Sequence, residues 1–188
     1  MPPIGTTRFL LLYLCALLAC GSVTACDPAT FFLLAPHIVK GGDADGDPFE
    51  QPRDVDALRL EMLNLINDER DSRDMIPLAP STALHGIAQQ HSIDMVTKDF
   101  LAHDGSDGST PETRVTRNLG EADYLGENIG AGFRTISIAH EAFMKSEENR
   151  KNILAGGATQ IGIGLAFGDE ENKFKDAIYI TILFFDPK

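Results

Sequence analysis

The chain has 188 residues, with 28 Asp and Glu against 16 Lys and Arg and a net charge of −12. So acidic a surface repels polyphosphate backbones, which excludes nucleic acid as a partner and disfavours anionic lipid headgroups. All three cysteines (Cys15, Cys20 and Cys26) fall in the first 26 residues, so beyond them there is neither a disulfide nor a thiolate nucleophile or metal ligand.

Residues 1–26 read as a secretory leader. Arg8 is its only charge, and Phe9 to Ala19 is an apolar run too short to span a bilayer as a mature helix. Two tetrapeptides resemble a bacterial lipobox, Leu17-Leu18-Ala19-Cys20 and Val23-Thr24-Ala25-Cys26. Lipidation at Cys20 is preferred because it abuts the apolar run. Cys26 is the alternative, and plain secretion a third outcome. Two or more acyl chains would anchor the protein in a membrane, at about 0.8 kcal/mol per buried methylene.

Residues 27–54 read as a flexible acidic tether. Pro28, Pro36, Pro48 and Pro52 and the run Gly41 to Asp47 bury too little to offset ordering entropy. Phe31 to Leu34 is an apolar patch within it that could dock on the domain or lie at a membrane surface. Asp43-Ala44-Asp45-Gly46-Asp47 lacks the spacing and terminal Glu of a calcium loop, and reads as solvated linker.

The domain occupies residues 55–188. Val55, Leu58, Met62, Leu65 and Ile66 share one helical face, and Pro77 marks the break after it. Ser81 is the cap of a second helix whose stripe is Leu84, Ile87, Ala88, His91 and Met95. His91 on that stripe reads as a core histidine bonded to a neighbouring carbonyl or side chain. His85 and His140 belong to no constellation, and His37 lies in the tether.

Residues 99–109 read as a loop. Thr110 then opens a short helix with Pro111 at its first position, where the missing N–H costs nothing, and Gly120 ends it. Gly126 to Gly132 reads as a glycine-rich turn or short strand. Thr135 caps a third helix to about Met144, and a helical turn follows near Asn149 to Ile153.

The C-terminal part reads as β. Ile161, Ile163, Leu165 and Phe167 alternate with Gly162, Gly164 and Ala166, small residues that let a helix pack closely. Ala177 to Phe185 is a nearly continuous β-branched and aromatic run, which predicts a central strand buried on both faces. Gly168 to Asp176 would be its solvated hairpin loop. Helices first and strands last predict an α+β fold with helices on both faces of a mostly antiparallel sheet.

Several ordered motifs now carry a resemblance. Asn67-Asp68-Glu69-Arg70 closes the first helix, Ile76-Pro77-Leu78 links to the second, and Ala88 to Met95 forms it. Phe100-Leu101-Ala102-His103 follows, then Thr110 to Arg114 and Gly126-Glu127-Asn128-Ile129. Phe143-Met144-x-Ser146, Arg150-x-Asn152-Ile153-Leu154 and Ile161-Gly162-Ile163-Gly164 complete the set. From Leu58 to Phe185 the chain resembles the bacterial branch of the CAP superfamily, whose SCP domain is shared by cysteine-rich secretory proteins, antigen 5 and pathogenesis-related 1. The fold this implies is a three-layer α-β-α sandwich.

The resemblance also implies a cleft with two histidines and two acids, which in some members holds zinc. His103 and Glu127 match two of these. Asn149 stands where the second histidine is expected, and Ser146 stands three residues after Phe143, where eukaryotic members carry the second acid. Glu147 is only adjacent. His103, Glu127 and Asn149 are therefore the candidate metal ligands, and His103 and Glu127 the candidate catalytic pair, with a divalent metal such as zinc as the candidate cofactor. Ser106, Ser109 and Ser146 lie in no nucleophile-elbow pattern. Asn128, Arg70 and Arg114 read as structural, the arginines bonding carbonyls or acids on the surface.

The resulting expectation is an exported, envelope-anchored domain that is a binder rather than an enzyme. It would take a small lipid-like or cell-envelope ligand, or a protein partner, through a His/Glu cleft. The alternatives are a metal-assisted hydrolase or peptidase using His103 and Glu127, and a surface interaction module with no working cleft.

Overall fold

The computed structural model describes residues 54–188. The expected leader, the lipidation candidates Cys20 and Cys26, and all of the expected tether but Asp54 lie outside the described residues. Asp54 belongs to the domain: its carboxylate accepts from the Asp56 and Ala57 N–H groups and caps helix α1, Val55–Asp71.

The remaining elements are β1 (Ala79–Pro80), α2 (Thr82–Thr97), α3 (Pro111–Leu119), β2 (Ala122–Phe133), α4 (Ile136–Lys145), α5 (Glu147–Ile153), β3 (Gln160–Phe167) and β4 (Ile178–Pro187). The expected caps are in place: Ser81, Thr110 and Thr135 each accept from a backbone N–H three residues on, and Pro111 opens α3. Among the described residues no helix is long and apolar enough to cross a membrane.

The sheet has the order β1-β3-β4-β2. The β2–β4 and β3–β4 pairs are antiparallel, and only the two-residue β1 runs parallel to β3. It is thus mostly antiparallel, as expected, with one parallel pair that the short run before Ser81 did not announce.

Strand alternation builds the layers. Ile161, Ile163 and Leu165 of β3 and Ile178, Ile180, Ile182 and Phe184 of β4 face one core, shared with Met62 and Ile66 of α1, Ile136 and Phe143 of α4, and Ile153 of α5. Leu183 and Phe185 face the other, with Leu84, Ile87 and Ala88 of α2 and Val115 of α3. The result is the α-β-α sandwich, with β4 buried on both faces.

The glycines of β3 set the α2 layer. A Cβ at Gly162 would lie 2.3 Å from the Leu84 Cβ, and one at Gly164 would lie 2.2 Å from the Ala88 carbonyl carbon. Backbone therefore meets backbone across this interface. Gly126 to Gly132 corrects the expectation of a turn or short strand: it lies inside the 12-residue β2, paired along its length with β4. Tertiary pairing overrides the weak strand tendency of its glycines.

Arg70 also departs from expectation. It bonds carbonyls, but from the interior, at 1% exposure. Its guanidinium donates to the Ile76, Ile153 and Ala155 carbonyls at 2.9–3.0 Å and ties the end of α1 to the α5–β3 turn. Asn67 does similar work beside it, donating to the Leu78 carbonyl and accepting from the Leu78 N–H.

Three histidines are buried or half-buried, and burial pulls each below its ordinary pKa of 6.5. His85 Nδ1 accepts from the Ile163 N–H at 2.8 Å. His91 Nε2 donates to the Ala102 carbonyl at 3.0 Å, the role its place on the stripe suggested.

This packing fixes the sign of two substitutions. Gly164→Ala should cost about 1–3 kcal/mol or more, because the Ala88 backbone must move. Gly86→Ala on α2, with nothing within 4 Å of the added carbon, should gain about 0.5–1 kcal/mol. Urea denaturation of the two variants checks both. The histidines predict a pH dependence. With folded pKa values below the unfolded 6.5, the unfolded chain binds more protons, so stability is full above pH 6.5 and falls as pH drops below it. Thermal unfolding should show Tm level from about pH 8 to 7 and declining towards pH 5. His91→Gln, which keeps a donor for Ala102, should flatten that decline.

Candidate functional site

The loop between α2 and α3 carries His103 and is pinned at several points. Asp99 takes a positive φ of 50°, and the Phe100 N–H bonds back to the Met95 carbonyl. His91 holds the Ala102 carbonyl from below. Further on, the Asp94 carboxylate accepts from the Ser106 N–H at 2.8 Å and its hydroxyl at 2.6 Å. A loop tied to helix α2 in this way holds its side chains in place.

Glu127 comes from β2, opposite Leu183 of β4. Its side chain turns towards the α2–α3 layer and is 3% exposed. A carboxylate that deep must be paired. Arg114, one turn into α3, supplies the partner: its Nη2 donates to Glu127 Oε2 at 2.7 Å and to the His103 carbonyl at 2.9 Å, while Nη1 donates to the Ser109 carbonyl at 2.8 Å. His103 Nδ1 donates to the other oxygen, Oε1, at 2.8 Å.

The two residues singled out in the sequence are therefore in contact. Glu127 lies neither on a turn nor on a short strand but within the 12-residue β2. Arg114, read as a surface structural residue, is the group that holds the pair together. Its side chain is 11% exposed, and its Nε is buried with no partner among the described residues. Arg114 bonds carbonyls and an acid, as expected of it; that the acid is Glu127 had no signal in the sequence.

A carboxylate only accepts, so His103 Nδ1 carries the proton of that bond. In the neutral ring Nε2 is then left as an acceptor. The imidazole is 56% exposed and lines an open groove of about 790 Å³. Its other walls are Thr110, the cap of α3, with Pro111, Glu112 and Thr116 of α3, then Glu121, then Ala122, Leu125, Gly126 and Glu127 of β2, and Lys188.

Asn149 does not join this set. Its carbonyl accepts from Asn128 Nδ2 at 3.0 Å, and it does not line the groove. Asn128 and Glu127 are neighbours on a strand and point to opposite faces, so α5 packs on the face turned away from Glu127. Asn128 is fully buried and also accepts from Asn152 Nδ2 at 2.8 Å, which gives it the structural role expected of it.

The donor set does not suit a resident zinc ion. Zinc sites use three or four protein ligands. Both Glu127 oxygens already have hydrogen-bond partners, and His103 Nε2 is the atom of the pair that faces the groove without one. Among the described residues no three His, Cys, Asp or Glu gather in a metal-holding group. The serines are committed elsewhere: Ser106 to Asp94, Ser109 to Asp107, and Ser146 to the cap of α5.

The domain matches the family model of the cysteine-rich secretory protein family, CAP, over residues 63–184. It is 32% identical over 113 residues to the uncharacterized protein YkwD of Bacillus subtilis. That match covers 60% of this chain and 44% of YkwD, so the chain spans less than half of that curated relative. In fold it resembles an outer surface protein of Borrelia burgdorferi, with a TM-score of 0.65 and 16% identity over 72% of this chain and 96% of that one. It also resembles an extracellular protein containing an SCP domain from Bacillus anthracis, with a TM-score of 0.59 and 24% identity over 72% and 45% of the two chains. The ordered motifs, the α-β-α layers and the family match agree: this chain belongs to the cysteine-rich secretory protein family, the CAP superfamily.

Proposed function

We propose that this is an extracytoplasmic, non-enzymatic binding domain whose ligand, a small lipid-like or cell-envelope molecule or a protein partner, occupies the groove walled by His103 and Glu127. The observation that carries this reading is the double engagement of Glu127. With Oε1 on His103 and Oε2 on Arg114, each carboxylate oxygen already has a partner and the Arg114 guanidinium balances its charge, which disfavours a cation beside it. The carboxylate acts as a brace, and the imidazole it holds presents Nε2 to an open groove, as an acceptor when the ring is neutral. Fixed polar groups in a preformed concavity are what a binding site requires.

The extracytoplasmic placement rests on the leader read in residues 1–26, and the names of two similar structures, an outer surface protein and an extracellular protein, support it. Lipidation at Cys20, or at Cys26, would hold the domain at the membrane.

Retention assays test the proposal. The immobilised protein is exposed to cell-envelope lipid extracts, peptidoglycan digests and envelope protein fractions, with His103→Ala as the control. The expected result is retention from at least one fraction, reduced severalfold by His103→Ala with Tm little changed. Peptide or ester hydrolysis that is abolished both by chelator and by His103→Ala would instead establish the hydrolase alternative. The brace itself predicts a stability pattern. Arg114→Met strands a buried carboxylate and should cost about 3 kcal/mol. Adding Glu127→Gln to it should recover part of that loss, measured by denaturant unfolding as a double-mutant cycle.

A further inference from the structure

The two flanks of the sheet are finished differently. On the β3 flank, side chains from the helices satisfy the outward backbone groups. The Ile163 N–H is received by His85 Nδ1 at 2.8 Å and its carbonyl by Arg59 Nε at 2.9 Å. The Gln89 amide takes the Leu165 N–H at 3.1 Å and donates to the Leu165 carbonyl at 2.7 Å, as a strand neighbour would. Covering an edge in this way protects it from pairing with another chain.

On the β2 flank one such side-chain bond is present among the described residues. Because Ile163 turns its backbone groups outward, its partner Ile182 turns towards β2, where it faces Asn128. Alternation then turns the N–H and C=O of Glu127, and of Leu125 before it, away from the sheet. The Glu127 carbonyl accepts from Asn152 Nδ2 at 3.1 Å, in agreement with this phase. The outward N–H and C=O of Leu125 have no partner among the described residues, and Leu125 lines the groove. Gly126 lines it too. A Cβ there would point at Asn152 Oδ1, 2.8 Å away on the other face, so Gly126 meets the groove through its backbone alone.

The groove wall beside this bare edge is rich in acceptors. His103 Nε2 is one, and the Glu112 carboxylate, which makes no ion pair among the described residues, is another. Of the nearby cations, Lys188 is bound to Glu121 at 2.7 Å, and the Arg114 Nη groups are bound to Glu127 and the loop carbonyls.

We propose that the groove receives an extended, basic segment of another protein, added as a strand to the β2 flank. Its backbone pairs with the N–H and C=O of Leu125, and a lysine or arginine side chain reaches Glu112 and His103. Main-chain bonds give such strand addition its affinity, and side-chain pockets give it selectivity. Charge disfavours the nearest competitors. A second copy brings a net charge of −12, and the chain's own segment 27–54 brings six acids against Lys40 and Arg53, to a wall that is already acidic.

This inference rests on the groove being the binding site and narrows its occupant to a peptide. The test titrates the full chain, 15N-labelled, with a blocked peptide of about six residues alternating lysine with valine or threonine. Two analogues accompany it, one N-methylated at alternate residues and one with glutamate for lysine. The expected result is binding with a Kd below about 1 mM and shifted amide signals at Leu125 and Glu127. N-methylation should weaken binding by about tenfold or more, the loss of one or two backbone hydrogen bonds. Glu112→Gln should weaken it severalfold, and the acidic analogue should not bind. Absence of binding, equal binding of the N-methylated peptide, or concentration-dependent dimerisation that shifts the same amides would each overturn the proposal. If the peptide fails while envelope fractions are still retained in a His103-dependent way, strand addition falls and the groove reading stands. If both fail, both fall.

Discussion

The site depends on how one buried carboxylate is neutralised. Glu127 sits on a strand of the sheet at 3% exposure, where an unpaired charge would cost several kcal/mol. Arg114 meets that need, and in doing so joins three pieces of chain. One guanidinium reaches β2 through Glu127, the His103 loop through the His103 carbonyl, and the start of α3 through Ser109. The planar fork of arginine makes this possible, since a lysine could not address three acceptors in fixed directions. The orientation of His103 follows, because the second carboxylate oxygen is held at a set place and the imidazole turns its Nδ1 to it.

The same economy recurs in the sheet. Its short parallel strand, β1, leaves most of the β3 flank without a strand neighbour, and α2 supplies the missing partners from His85 and Gln89, one turn apart on one face. That arrangement is possible only because Gly162 and Gly164 let α2 come down to backbone contact. The glycines, the polar residues of α2 and the brevity of β1 are therefore one design. Substituting any member affects the others through the distance between helix and sheet.

Much of this was legible in the sequence where local chemistry decides the outcome. The caps at Ser81, Thr110 and Thr135, proline at position 111 and the two-sided run from Ala177 to Phe185 each point to one local structure, and each is found. The alternation of glycine with isoleucine in β3 announced a close helix. The reading failed where a residue's role is set by a partner distant in the chain. Gly126 to Gly132 lacks strand character by itself and becomes a strand by pairing with β4. Arg70 and Arg114 look like any surface arginine, yet one is buried among backbone carbonyls and the other organises the site. His85, without a constellation in sequence, finds its partner 78 residues away in β3. His103 and Glu127 were legible as a pair only through the resemblance. Nothing in their spacing shows that they meet.

The resemblance also shows how a shared scaffold can change its chemistry. Of the two histidines and two acids that the resemblance implies, His103 and Glu127 are present, and Asn149, at the position of the second histidine, lies outside the groove. The acid that is present, Glu127, is buried and paired with Arg114, so its charge is balanced inside the domain. The groove is lined by the imidazole Nε2, by the Glu112 carboxylate and by the backbone of Leu125, the last two without a partner among the described residues. Each accepts hydrogen bonds, and Leu125 also donates one. Acceptors on such a wall complement a positive charge rather than an anion, and a backbone edge can be matched only by an occupant that brings donors and acceptors of its own.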